Sequence, residues 1–253
     1  MITRKQIKFV KSLHQKKYRY LHGCFIVESS KNVLEIINSN YEVKFLFATK
    51  EWLRSNKILI NEGVLLVTDN DLKRVTCLKN PSDVLAVVKI PDTINNFNFS
   101  GINVALDSIN DPGNCGTILR TCDWFGIKNI YCSKNCVDLF NPKVVQSSMG
   151  SISRVNVFYT DLFTMINNLN KKVYTYAAVL DGKNLNNSKL NPNSLLIFGN
   201  ESKGLSKKLE NILNLEISIP KPNKSTYPES LNLASSVGII LSHLTNNISF
   251  NGK

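Results

Sequence analysis

Short apolar runs alternate with amphipathic stretches along the first part of the chain. The apolar runs have the length of β-strands and are rich in β-branched and aromatic residues. They lie at Phe25–Val27, Val43–Ala48, Val64–Val67 and Val84–Ile90. The stretches between them carry apolar residues at helical spacing, and Ser29 or Ser30 stands where the first of these helices needs a cap. This alternation predicts a small α/β sandwich.

A change of composition separates this part from the rest of the chain. Residues 91–101 contain clustered asparagines and few charges, which is typical of a linker. We therefore predict two domains, with residues 1–94 in the first and residues 95–253 in the second.

The second domain contains a longer series of apolar runs, separated by polar loops. The runs lie at Ile102–Leu106, Ile130–Cys132, Asn156–Tyr159, Val173–Leu180, Leu195–Phe198 and Ile217–Pro220. A turn is predicted at Asn110–Gly113, followed by a helix that ends at Gly126. A last helix carries apolar residues at helical spacing from Leu231 to Leu244. Nearly continuous apolar runs are typical of central parallel strands, so a parallel α/β sheet is predicted.

Charge and composition narrow the choice of partner. Lys and Arg number 31 against 19 Asp and Glu, which gives a formal net charge of +12. Such an excess favours a polyanion such as nucleic acid, although a merely basic surface has the same composition. The six cysteines form no C-x-x-C pair and only three histidines are present, so we predict no metal site. Neither a signal peptide nor a membrane span is predicted, and a reducing cytoplasm is the expected location.

Three polar loops follow predicted strands, where ligands of open α/β sheets bind. They are Asn110–Gly116, Gly199–Gly204 and Pro220–Ser230. No G-x-G-x-x-G follows a strand, and Leu205 stands where a phosphate-binding loop requires lysine. A nucleotide-dependent α/β enzyme is therefore disfavoured.

The three loops carry a pattern of motifs. The first is D-P-G-N-C-G-T-I-L-R at Asp111–Arg120, the second is Leu196–Ser206, and the third is Ile219-Pro220 followed by Glu229–Ala234. In this order they resemble the motifs of the SpoU (TrmH-like) branch of the SPOUT methyltransferases, over the whole second domain. The first domain resembles, more loosely, the ribosomal-protein-L30e-like module that precedes this catalytic domain in several family members.

The resemblance implies a fold and an activity. The fold is an α/β domain whose parallel sheet ends in a deep trefoil knot, preceded by a small L30e-like RNA-binding domain. The activity is transfer of a methyl group from S-adenosylmethionine to a ribose 2′-hydroxyl, with ribosomal RNA expected before transfer RNA. Family members are homodimers whose site is completed across the interface. The alternative is a non-catalytic RNA-binding or ribosome-assembly protein that keeps the fold.

Matching the motifs assigns cofactor-binding residues. Backbone contacts to the cofactor are implied at Gly199, Ile219 and Leu231, with Ile197 and Asn200 beside them. Gly199 ends a buried strand, where the lack of a side chain admits a ligand close to the backbone. An ordinary turn glycine is the alternative.

Catalytic residues are assigned in the same way: Arg120, Asn114, Glu201, Ser230 and Asn232. The family implies that Arg120 activates the ribose hydroxyl. Because a guanidinium stays protonated, a grip on the RNA phosphate and stabilisation of a developing alkoxide are physically easier for it. Glu201 holds its loop or offsets the sulfonium charge, and Ser230 is either a ligand or a plain helix cap.

Two stretches leave their role open. The loop Lys221–Pro228 lacks the glycine that relatives often carry, and Ser202 is a milder departure. The basic N-terminus either tracks RNA phosphates or forms a solvated helix face; its residues are Arg4, Lys5, Lys8, Lys11, Lys16, Lys17 and Arg19.

Overall fold

A computed structural model describes residues 2–59, 63–92, 97–213, 215–221 and 229–247 of the chain. Residue contacts divide the chain into two compact units. The first unit comprises residues 1–94 and 138–153, and the second comprises residues 95–137 and 154–253. Within the described ranges no helix has both the length and the apolar character needed to span a bilayer.

The first unit contains a four-stranded mixed sheet in the order β1-β4-β2-β3. Its strands are β1 (Cys24–Glu28), β2 (Val43–Ala48), β3 (Val64–Leu66) and β4 (Val84–Lys89). Strand β4 is antiparallel to both β1 and β2, whereas β3 is parallel to β2. All four predicted strands are confirmed. Strands β1 and β4 are almost entirely buried, whereas the short edge strand β3 is partly exposed, with Leu66 at 47%.

The helices of the first 94 residues are α1 (Arg4–Ser12), α2 (Lys16–His22), α3 (Ser30–Ile37), α4 (Lys50–Ser55) and α5 (Asp69–Lys73). Ser29 occupies the N-cap position of α3, but its side chain makes no capping hydrogen bond. The expected cap is wrong because Ser29 has a φ of 75°, outside the extended conformation that folds a capping side chain onto the first turn. The Ser30 hydroxyl instead accepts a hydrogen bond of 2.7 Å from Trp52 Nε1.

The second unit contains a six-stranded sheet in the order β10-β8-β9-β5-β6-β7. Its strands are β5 (Ile102–Leu106), β6 (Asn129–Ser133), β7 (Asn156–Thr160), β8 (Tyr174–Asn184), β9 (Ser194–Phe198) and β10 (Glu216–Ser218). All pairings are parallel, which confirms the predicted parallel α/β sheet. The remaining α-helices of the described residues are α6 (Pro112–Trp124), α7 (Pro142–Ser148), α8 (Leu162–Asn167), α9 (Lys207–Glu210) and α10 (Leu233–Asn247); α7 belongs to the first unit.

Both faces of the parallel sheet are covered. Leu195 and Ile197 of β9 pack in one core cluster with side chains of α8 and α9, including Leu162 and Leu209. The alternate residues of β9, such as Phe198, point to the opposite face and are also buried. The carboxyl ends of the six strands therefore form one edge at which polar loops can meet. The trefoil knot stays a prediction, and residues 222–228 of the third loop lie outside the described residues.

An ion pair joins the segment 138–153 to the N-terminal helices within the first unit. Arg19 is 2% exposed, and its guanidinium contacts the Asp138 carboxylate at 2.5 Å. The Tyr20 hydroxyl donates a hydrogen bond of 2.7 Å to the other oxygen of Asp138. The expectation that Arg19 belongs to a phosphate-binding surface is therefore wrong, since its donors are spent inside the protein.

Candidate active site

The loop after β5 leads directly into α6. Asp111 caps this helix by accepting a hydrogen bond of 2.7 Å from the backbone N–H of Asn114. Pro112 occupies the first turn, where a residue without an N–H is favoured. The turn predicted at Asn110–Gly113 is therefore wrong in its second half, because the helix already begins at Pro112. Asn114 is placed in the first helical turn, at the carboxyl edge of the sheet.

Hydrogen bonds bring together three predicted catalytic side chains from three loops. Asn232 Nδ2 donates to Asn114 Oδ1 at 2.9 Å. Asn114 Nδ2 in turn donates to Glu201 Oε1 at 2.7 Å. These side chains come from the start of α6, the loop after β9 and the start of α10. We call this arrangement the Asn232–Asn114–Glu201 chain.

The orientation of this chain is fixed at its origin. Asn232 Oδ1 accepts hydrogen bonds from the backbone N–H groups of Ala234 (2.9 Å) and Ser235 (3.3 Å), so its Nδ2 must face Asn114. Asn114 must then present its oxygen to Asn232 and its nitrogen to Glu201. The positive end of α10 and the Glu201 carboxylate thus polarise the two amides in one direction. Among the described residues, each amide donates only one of its two N–H groups, so the second is available for a ligand.

Asn200 supports the loop that carries Glu201. Its Nδ2 donates to the Ser108 carbonyl at 2.8 Å, and its Oδ1 accepts from the backbone of Ser202 and Lys203, each at 3.1 Å. Backbone hydrogen bonds of 2.8 and 2.9 Å also join Asn200 and Gly204. The loop is therefore a closed turn with a fixed shape.

Gly199 is required by this turn. A Cβ atom at Gly199 would lie 2.3 Å from the Gly204 carbonyl carbon, which is closer than any real side chain permits. The sequence suggested that a glycine is needed here so that a ligand can approach the backbone. In the structure, the atoms that approach Gly199 are instead backbone atoms of its own loop. The role of Gly199 in cofactor binding stays a prediction.

Asp107 was missed by sequence reasoning. It follows β5 and is buried, and its Oδ2 accepts a hydrogen bond of 2.8 Å from the backbone N–H of Ser206. Its own N–H donates to the Phe198 carbonyl at 2.8 Å. Asp107 thereby links the end of β5 to both ends of the loop after β9. An acidic residue directly after a buried strand was the available signal.

The Cys136 thiol is hydrogen-bonded to backbone groups at the end of β5 and in the loop that follows it. Its thiol donates to the Leu106 carbonyl at 3.2 Å and accepts from the Ile109 N–H at 3.3 Å. A hydrogen bond from Cys132, helped by others from Ser133 and backbone N–H groups and opposed by burial, lowers the pKa of Cys136 to about 7. All six cysteines are free thiols, so Cys132 and Cys136 are not joined by a disulfide.

The structure leaves Arg120 outside the Asn232–Asn114–Glu201 chain. Arg120 is exposed, and it forms no hydrogen bond or ion pair with the described residues. It lies six positions after Asn114, which places the two side chains about 120° apart around the helix axis. The guanidinium is thus accessible to an anion, but it lies on a different side of α6 from the Asn232–Asn114–Glu201 chain of its own protomer.

The remaining predicted residues have different surroundings. Asn232 caps α10, so the reading of Ser230 as the cap is wrong; Ser230 is exposed just before it. Ile197 is fully buried in the core, whereas Leu231 is 48% exposed. Gly199, Ile219 and Leu231 each lie just outside a strand or helix. Their backbone N–H and C=O groups form no backbone hydrogen bond with loop residues in the described part of the chain. Such unpaired groups suit a ligand whose edge is bound by backbone atoms.

Comparison with known proteins places this site in context. The model of the SpoU rRNA Methylase family matches residues 101–242, and the model of the MRM3-like substrate binding domain matches residues 4–86. The chain is 26% identical over 242 residues to the 23S rRNA (guanosine(2553)-2'-O)-methyltransferase RlmP of Bacillus subtilis. The match covers 94% of this chain and 95% of that protein.

Solved structures agree over nearly the full length. A TrmH-family protein from Porphyromonas gingivalis has a TM-score of 0.85 and 33% identity, covering 96% of this chain and 98% of its own. The AdoMet-bound rRNA methyltransferase of Sinorhizobium meliloti has a TM-score of 0.82 and 26% identity, covering 98% and 97%.

Proposed function

This chain belongs to the SpoU rRNA methylase family, and on that premise we propose that it is an RNA ribose 2′-O-methyltransferase that uses S-adenosylmethionine. The Asn232–Asn114–Glu201 chain is the observation that carries the proposal. It joins the three loops in which the motifs lie, at the ligand-binding edge of the sheet.

The loops fit the proposed cofactor. Unpaired backbone groups at Gly199, Ile219 and Leu231 suit the edge of an adenine, with Asn200 and Ile197 supporting the loop and strand behind them. Bound S-adenosylmethionine would supply an electrophilic methyl group: the ribose oxygen would form the new O–CH3 bond as the S–CH3 bond breaks, S-adenosylhomocysteine would leave, and the hydroxyl proton would pass to solvent. Glu201 would contribute a negative charge that favours a bound sulfonium. The AdoMet-bound relative supports this choice of cofactor.

The same cluster can hold the acceptor ribose. The free N–H groups of Asn114 and Asn232 are oriented to donate to ribose or phosphate oxygens. Ser230, exposed before α10, adds a hydroxyl. Arg120 stays cationic, so it grips an RNA phosphate and stabilises negative charge developing on the ribose oxygen rather than acting as a base. Alignment of oxygen and methyl group is the main contribution we assign to the protein.

Ribosomal RNA is the substrate class we propose. The relative RlmP is named for 2'-O-methylation of 23S rRNA. The first unit matches the model of a substrate binding domain, and we assign it to RNA binding. The six free thiols fit a reducing compartment, and we propose that the protein acts in the cytoplasm.

A homodimer is the proposed assembly. Trp124 at the end of α6 is 85% exposed, and Ile239 on α10 is 41% exposed. The two helices lie side by side, since a Cβ at Gly238 would be 3.7 Å from Thr121 Cγ2. Large exposed apolar side chains on adjacent helices favour a covered surface. In a dimer, Arg120 can reach the partner's cluster instead of its own.

A methyl-transfer assay tests the function. Protein, S-adenosylmethionine with a labelled methyl group and unmethylated transcripts of 23S rRNA or tRNA are incubated, and the product is digested to find the alkali-resistant dinucleotide that a 2′-O-methyl group leaves. We expect label in 23S rRNA and at least a hundredfold loss in Arg120→Ala. Binding of S-adenosylhomocysteine without transfer to either RNA would instead establish the non-catalytic alternative.

A further inference from the structure

The N-terminal helices α1 and α2 form a basic surface. No acidic residue precedes Glu28 in the chain. The exposed basic residues are Arg4, Lys5 and Lys8, then Lys11, Lys16 and Lys17. None of these six forms an ion pair with the described residues. We call this set, together with Tyr20, the α1–α2 face.

The side chains of the face point in one direction on each helix. Arg4, Lys5, Lys8 and Lys11 fall within a sector of about 120° around α1. The buried residues of α1 lie on its other side, where Val10 is fully buried. On α2, Lys16, Lys17 and Tyr20 share a sector of about 100°. The charges are therefore presented as two stripes rather than scattered around the helices.

Four of these positive charges lie at the positive end of their own helix dipole. Arg4 and Lys5 lie in the first turn of α1, and Lys16 and Lys17 in the first turn of α2, and neither turn contains an acidic residue. Positive charge at a helix N-terminus is unfavourable, because the dipole is positive there. A solvated helix face gains nothing from this arrangement, whereas a bound polyanion would neutralise these side chains and relieve the unfavourable interaction with the dipole.

Tyr20 adds a rigid aromatic platform. The residue is 51% exposed, while its hydroxyl is held at 2.7 Å by Asp138. Asp138 is fixed in turn by the buried Arg19. Lys16 Nζ lies over one face of the Tyr20 ring, 6.0 Å from its centroid. An aromatic ring held beside lysines is the combination that stacks a nucleobase while its phosphates are neutralised.

We propose that the α1–α2 face binds the RNA substrate, with lysines on backbone phosphates and one unpaired base stacked on Tyr20. The proposal rests on the proposed function for its choice of RNA. It names the surface of the first unit that takes up the strand, and it excludes Arg19 from that surface.

Salt dependence of RNA binding tests the phosphate contacts. The variant K8Q/K11Q/K16Q/K17Q is compared with K31Q/K50Q/K73Q/K79Q, which removes the same charge from other exposed positions of the first unit. The probe is labelled, unmethylated 23S rRNA transcript. Each lost phosphate contact lowers the slope of log affinity against log salt by about 0.7, so the test variant should lose about 3. Between 50 and 200 mM salt, wild-type affinity should then fall about 50-fold more than that of the variant.

Tyr20 variants test the stacking. Tyr20→Phe keeps the ring and loses the bond to Asp138, whereas Tyr20→Leu keeps apolar bulk and loses the π-face. We expect Tyr20→Phe to bind RNA like wild type and Tyr20→Leu to bind about tenfold more weakly. Equal binding by these two variants would contradict the stacking. Circular dichroism confirms that each variant is folded.

The outcomes separate this proposal from the proposed function. If wild type transfers methyl groups and the two quadruple variants have equal slopes, the α1–α2 face is not the RNA surface. If wild type transfers none, the proposed function fails instead. Vesicles of phosphatidylglycerol provide a further arm: binding of wild type to them, lost in K8Q/K11Q/K16Q/K17Q while the RNA slope is unchanged, would overturn the proposal in favour of a membrane surface. With saturating RNA the test variant should keep kcat and raise KM.

Discussion

The hydrogen bond from Asn114 to Glu201 fixes the orientation of the Asn114 amide. Two substitutions of Glu201 distinguish the effect of this orientation from the effect of the carboxylate charge. Glu201→Gln can still accept from Asn114 through its carbonyl oxygen, whereas Glu201→Ala leaves the amide free to turn. A hydrogen bond to a charged group contributes about 1.5–3 kcal/mol, so we expect kcat/KM to fall about 100-fold in Glu201→Ala. Glu201→Gln should retain at least about tenfold more activity than the alanine variant.

Methyl transfer to the 23S rRNA transcript measures this difference, and affinity for S-adenosylhomocysteine is the control. That product lacks the sulfonium charge, so its binding should change little in either variant. Full activity of Glu201→Ala would show that Asn114 does not depend on the carboxylate.

The missing side chain of Gly199 determines the shape of the loop between Gly199 and Gly204. Gly126 provides the matched control, since it has a φ of 72° and open space around its missing side chain. Gly199→Ala must push apart the turn between Gly199 and Gly204, which we expect to lower the free energy of unfolding by about 1–3 kcal/mol. Gly126→Ala meets only the cost of its left-handed backbone, about 1 kcal/mol.

Affinity for S-adenosylhomocysteine decides whether the loop matters for the cofactor. We expect it to fall at least tenfold in Gly199→Ala and to stay unchanged in Gly126→Ala, because only the first position shapes the loop that carries Asn200 and Glu201. Calorimetry measures both. A Gly199→Ala protein that binds like wild type would remove this loop from the cofactor site.

At the scale of elements, sequence patterns predicted the sheets better than the helices. Runs such as Leu195–Phe198 are apolar throughout because both faces of β9 are buried, and that signal is local. Helices α1 and α2 were not predicted as elements. Their apolar side chains are few. The Thr3-x-x-Gln6 capping box was an available signal for the start of α1, whereas α2 begins after Gln15 without a side-chain cap.

The site was predictable to the extent that motifs identify residues. The sequence assigned Asn114, Glu201 and Asn232 to one site, but their hydrogen bonds depend on side-chain orientation across three loops. The same limit explains Arg19: a sequence shows its charge, whereas its burial depends on Asp138, which is remote in the chain. The boundary near residue 95 and the roles of the two domains stay predictions.

The whole first unit includes the segment 138–153, and its buried ion pair offers a clear test of stability. Asp138→Ala leaves the Arg19 guanidinium buried without its carboxylate, which we expect to cost about 3–5 kcal/mol of unfolding free energy. Asp123 is the control, because it also pairs with an arginine, Arg154, whose side chain is 41% exposed. Asp123→Ala should cost at most about 1 kcal/mol. Urea denaturation measures both values, and equal costs would contradict the structural role given to Asp138.

The position of Arg120 leads to a prediction about the whole assembly. Within one protomer Arg120 lies outside the Asn232–Asn114–Glu201 chain, so an intact site in the proposed dimer combines Arg120 of one protomer with Glu201 of its partner. Arg120→Ala and Glu201→Ala proteins are each expected to keep only about a hundredth of wild-type activity. When they are unfolded, mixed in equal amounts and refolded, half of the dimers are mixed, and each mixed dimer has one intact site. We therefore expect about a quarter of wild-type methyl transfer in the mixture.

Sedimentation and a second substitution complete this test. Trp124→Glu places a charge in the exposed apolar surface of α6 and α10, so it should give a monomer by analytical ultracentrifugation. It should also abolish the activity recovered on mixing, because no partner then supplies Arg120. If each site were complete within its own protomer, every dimer in the mixture would lack one catalytic group per site and no activity would return. Recovery thus depends on the shared site alone, whatever the affinity of the protein for RNA.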